Sequence, residues 1–86
     1  MKPQDILPDD VNSFELAGVT VRKGTIGAFI VNARVLTDPA SDAAARAAAL
    51  EDALALVPAM EQLGVFEVFR IADTDLAEVV AASRGR

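Results

Sequence analysis

One stretch of the chain gathers the residue types that hold an anion: Arg22-Lys23-Gly24-Thr25-Ile26-Gly27. A strand passing through glycine into a helix start would turn free backbone N–H groups, the Thr25 hydroxyl and two cations towards a phosphate or carboxylate. The spacing is not that of a phosphate-binding P-loop, because Lys23 precedes the turn and only Gly24 comes before Thr25. A simpler use competes. Gly24 and Thr25 suit any tight turn and helix cap, with Arg22 and Lys23 solvated. Arg22, Lys23, Gly24, Thr25 and Gly27 are the candidate anion-binding set, weighed against that plain turn.

Carboxylates are the other chemically able groups. Asp9-Asp10 and Asp73-Thr74-Asp75 have the donor type for a hard cation. Leu76 and Ala77 follow Asp75 where a calcium loop needs further oxygens and a glycine, so helix capping accounts better for Asp73 and Asp75. Glu67 would serve in acid–base catalysis only if desolvated in a cleft. The 86 residues include no His, Cys, Trp or Tyr. That removes the usual ligands of zinc, haem and iron–sulfur centres, thiol nucleophiles, disulfides and histidine-based triads. No metal, no cofactor and no enzymatic activity are expected.

Charge narrows the partners. With 13 acidic against 8 basic residues the formal net charge is −5, and the only adjacent basic pair is Arg22-Lys23. Such a chain is repelled by nucleic-acid phosphates and by anionic membrane. No apolar run approaches the roughly 20 residues needed to span a bilayer. Met1-Lys2-Pro3-Gln4-Asp5 carries a proline and an acid where a secretory signal has an apolar run, so a soluble, cytoplasmic protein is expected. A hydrophobic content of 52% belongs to a globular domain rather than a disordered tail, and the length allows only one such domain.

The elements follow from periodicity. Residues 1–13, with two prolines and three aspartates, read as an extended arm. From Phe14 to Arg22 apolar and polar residues alternate on either side of Ala17-Gly18, which predicts a hairpin with Phe14, Leu16, Val19 and Val21 on one face. A helix capped by Thr25 runs to Leu36, with Ile26, Phe29, Ile30, Ala33 and Leu36 on one side. After a loop at Thr37-Asp38-Pro39-Ala40, Ser41 caps an alanine-rich helix over 42–57, with Ala43, Ala47, Leu50, Leu54 and Val57 as its stripe. Pro58 either kinks this helix or opens a new one, and Gly64 ends it in a left-handed conformation.

Val65 to Ile71 is rich in β-branched and aromatic residues and predicts a strand, although a helix fits the same spacing. Phe66 and Phe69 are read as core. A last helix of about two turns follows Asp73-Thr74-Asp75, with Glu78 completing a capping box on Asp75, and frays over 83–86. The expected fold is a single α+β domain over residues 14–82, in the order β-β-α-α-β-α.

The helix beginning near Thr25 is apolar on two sides. Ala28, Val31 and Val35 lie opposite the expected core face, with Asn32 and Arg34 as its polar positions. So short a chain has few layers with which to cover both sides, and burial and chain entropy nearly cancel at this size. Self-association is therefore expected, with Ala28, Val31, Arg34 and Val35 as the candidate interface of a homodimer. The reading is a non-enzymatic, bacterial-type protein–protein interaction module, open to a further protein partner. The alternative is a domain binding a phosphate or carboxylate at residues 22–27.

Overall fold

The computed structural model describes residues 12–85. Strands β1 (Ser13–Leu16) and β2 (Val19–Arg22) pair antiparallel with Phe14 opposite Val21, Glu15 opposite Thr20 and Leu16 opposite Val19, as the alternation predicts. Ala17 and Gly18 form the turn at φ 51° and 79°, because a two-residue type I′ connection needs positive φ at both positions. Val21 is buried, whereas Leu16 beside the turn is exposed. The pairing also includes Ser13, opposite Arg22, one residue before the expected start of the hairpin at Phe14. Residues 1–11 of the expected arm, Asp9-Asp10 among them, lie outside the described residues.

Four helices follow: α1 (Thr25–Thr37), α2 (Ala43–Leu63), α3 (Val65–Val68) and α4 (Thr74–Arg84). The described residues form a small α+β domain with one two-stranded antiparallel sheet. The strand expected near 65–71 is not formed. Gly64 stops α2 at φ 83° with its N–H on the Met60 and Glu61 carbonyls. Its own carbonyl then accepts the Glu67 N–H at 3.1 Å, and the Phe69 N–H reaches the Val65 carbonyl at 2.8 Å, which closes a helical turn. β-branched residues gain from a strand only where a sheet edge is there to pair with, whereas a helical turn satisfies its own backbone. From Phe69 (φ −117°, ψ 150°) the chain runs extended.

The helix starts also differ from expectation by one residue. Thr25 and Ser41 were the expected caps; Gly24 and Asp42 are the observed ones. Each hydroxyl instead donates back to an upstream carbonyl, Thr25 Oγ1 to Arg22 at 2.6 Å and Ser41 Oγ to Val35 at 2.7 Å. The Asp42 carboxylate accepts the Ala45 N–H at 2.7 Å. The Asp73 carboxylate likewise accepts the Leu76 N–H at 2.9 Å, so Asp73 caps α4 in place of Asp75. Pro58 lies inside a single continuous α2 on its exposed side, where the missing bond to the Leu54 carbonyl is least costly.

α2 is the element on which β1, β2, α1, α3 and α4 all pack. Its buried face is therefore broader than the expected stripe and turned away from it. Ala43 and Ala47 are exposed, while Ala49, Ala53 and Val57 are buried, Ala53 completely. The alanines give a smooth surface on which Phe29 of α1 and Leu76 and Val80 of α4 meet Met60 in one cluster. α4 continues through Ser83 to Arg84, beyond the two turns expected. Its end is held by Arg84, whose Nε lies 3.2 Å from Glu61 Oε1 and whose guanidinium lies 4.4 Å from the Phe66 ring centroid.

Candidate functional site

The candidate anion turn is assembled at the start of α1, with two of its donors engaged inside the fold. Arg22 and Lys23 are exposed, and the Lys23 N–H donates to the Asn12 carbonyl at 2.6 Å. Gly24 takes φ 85° and its carbonyl receives the Ala28 N–H at 2.8 Å, the ordinary opening bond of a helix. Thr25 is buried and its hydroxyl proton is committed to Arg22. Gly27 sits one turn into α1, on an exposed side.

α1 itself is the more informative element. Residues four apart lie in rows along a helix, and α1 has four such rows. The row of Thr25, Phe29 and Ala33 faces the core, with Thr25 and Phe29 buried. The neighbouring row is Ile26-Ile30-Arg34; the spacing places Ile26 and Ile30 on the core face, yet Ile26 is 39% and Ile30 52% exposed. Next comes Gly27-Val31-Val35, with Val31 63% exposed and Val35 half-buried. In the last row Ala28 is exposed, Leu36 is half-buried against the core, and Asn32 donates to its own helix at the Ala28 carbonyl, 3.0 Å away. The candidate interface residues Ala28, Val31 and Arg34 therefore lie on the outside of this chain.

Beside the Ile26 row opens a groove of about 400 Å³. α1 forms one wall, Phe66 of α3 and the extended residues Phe69 and Ile71 form the other, and Met60 of α2 contributes to its floor. Phe66 is steadied from behind by Arg84. Phe69, expected in the core, is 68% exposed. The helical turn of α3 ends at Val68, so Phe69 lies on the outgoing strand-like segment at the groove mouth. Arg34 and Arg70 are the only polar side chains lining the groove. Neither has a hydrogen-bond or ion-pair partner among the described residues, whereas Arg46 holds the Ser41 and Asp38 carbonyls and Arg84 holds Glu61.

Sequence reasoning missed this groove. The signal available was the row Ile26-Ile30-Arg34, apolar residues ending in a cation, together with the Phe69-Arg70 pair; their approach depends on the α3 turn. Glu67 is exposed, so the desolvation that acid–base chemistry would require is absent. No helix among the described residues is long and apolar enough to cross a membrane. No protein-family model, curated protein or solved structure matches the chain.

Proposed function

We propose that the chain is a protein–protein interaction module that works as a homodimer rather than an enzyme, with the Gly27-Val31-Val35 row of α1 as the contact between copies. The observation that carries this is the exposure of Val31 at the centre of that row. Gly27 supports it. Glycine weakens a helix by roughly 0.5–1 kcal/mol relative to alanine. Here its φ is ordinary and an added Cβ would meet nothing within 4 Å, so the fold of one chain gives no reason for it. A second helix crossing closely at this point would.

Charge favours a second copy as the partner. α1 has Arg22 and Lys23 before its start and Asp38 at its end. Two copies crossing antiparallel about Val31 place Arg22 and Lys23 of one near Asp38 of the other, with helix dipoles opposed. The row is short, so the dimer is a weak, exchanging one. Sedimentation velocity from tens to hundreds of micromolar tests it. A concentration-dependent shift from one chain to two is expected, reduced at least tenfold in affinity by Val31→Asp and also weakened by Gly27→Ala, which leaves the single chain's fold intact. A single-chain species throughout, unmoved by either substitution, overturns the proposal.

A further inference from the structure

We propose that the groove between α1 and residues 66–71 binds an aliphatic carboxylate of medium length, its alkyl body lying on Ile26, Ile30 and Phe66 and its carboxylate held by Arg34 and Arg70. Three observations converge. The groove has about 400 Å³ of space, within the range of small-molecule sites. Its lining is almost wholly apolar, with Arg34 and Arg70 as the polar residues at its edge among the described residues, so it suits a body with no polar atoms and a single anionic group that reaches out to them. Among the described residues those two cations have no ion-pair partner, in a chain that carries a surplus of acids, although the planar guanidinium fork is built to receive a carboxylate.

Walls and floor come from separate elements whose positions are fixed elsewhere. Phe29 and Met60 anchor α1 and α2 in the core cluster, and Arg84 with Glu61 braces Phe66. The groove therefore exists before a ligand arrives, which spares the cost of ordering it. It lies on the Ile26 row of α1 and not on the Gly27 row, so this inference does not depend on self-association.

The probe is decanoate, titrated into the full chain while the methyl signals of Ile26, Ile30, Met60 and Ile71 are followed by nuclear magnetic resonance. Saturable shifts confined to those methyls are expected, with affinity rising by up to about fourfold per added methylene from octanoate to decanoate. Decanol, which lacks the charge, should bind at least tenfold more weakly to the unaltered chain. The double substitution Arg34→Gln, Arg70→Gln should weaken decanoate by a similar factor, since both side chains are exposed and neither makes a hydrogen bond or ion pair among the described residues. Absence of saturable shifts at millimolar decanoate overturns the proposal. Equal binding of decanol, or of decanoate to the double variant, reduces the groove to a greasy surface and overturns it too. Displacement of decanoate by an acidic amphipathic peptide at lower concentration would reassign the groove to a protein partner.

Discussion

Two rows of α1, one residue apart in sequence, have similar composition and different surroundings. Ile26 and Ile30 face a wall supplied by Phe66 and Phe69, and the space between them is a groove with cations at its edge. Gly27 and Val31 face outward, and Val31 and the half-buried Val35 line a shallow hollow with Arg34, Asp38 and Ser41. Apolar surface exposed in a contiguous patch marks a place where something docks. Its shape decides what: a walled row suits a small molecule, and an open row with a glycine in it suits another helix. The contrast comes from one structural event, the helical turn of α3, which brings the 66–71 segment to one side of α1 and leaves the other open.

The contrast is broken most severely by loosening α1 from the core. Phe29 is the buried side chain of the row between the groove and the rest of the fold, packed with Ala53, Val57 and Met60. Phe29→Ala should cost about 3–5 kcal/mol in urea denaturation, by lost transfer energy and the cavity left behind. Both the groove and the outer row should fail together in that variant. A loss under about 1 kcal/mol would mean that α1 is not seated by Phe29 and that neither row has a fixed position.

A finer test sets neighbours against each other. Ile30→Asp changes an exposed side chain, so stability should move by no more than about 0.5 kcal/mol. Decanoate affinity should nevertheless fall at least tenfold, because a carboxylate is placed beside the two arginines and in the path of the alkyl chain. Self-association in the same sample should be unchanged, whereas Val31→Asp should give the reverse pattern. If Ile30→Asp also separates the copies, the two rows are one surface, and the groove is part of the dimer contact.

The sequence made some of this legible and hid the rest for identifiable reasons. The hairpin register follows from alternation and from Ala17-Gly18, both local features, and each pairing is realised. The exposure of Ala28 and Val31 was legible from the number of apolar faces set against the length of the chain. The Ile26 and Ile30 row was misassigned because periodicity says which residues share a face and not how wide an arc the neighbour covers. Here the covered arc is narrow, centred on Phe29. The run over 65–71 is not a strand because strand preference is a statement about pairing, and this run pairs with neither β1 nor β2. The caps at Thr25 and Ser41 were each displaced by one residue because a hydroxyl can donate to an upstream carbonyl as readily as it accepts from a downstream N–H.

The smallest expected effect lies away from both rows and serves as their control. Ala17 is held at φ 51°, in the left-handed region that a Cβ disfavours, because the two-residue turn between β1 and β2 demands it. Asparagine tolerates that region, and Asn-Gly is the favoured pair for this turn type. Ala17→Asn should therefore stabilise the chain by about 0.5–1 kcal/mol, read as a rise in the urea midpoint at unchanged slope. Ala17 is exposed at the hairpin tip and lines neither the groove nor the outer row of α1. Decanoate affinity and self-association should both be unaltered. A gain in stability that also tightened either one would show that the hairpin and α1 move as a unit, since ordering the turn would then be ordering the helix that β2 feeds through Lys23 and Gly24.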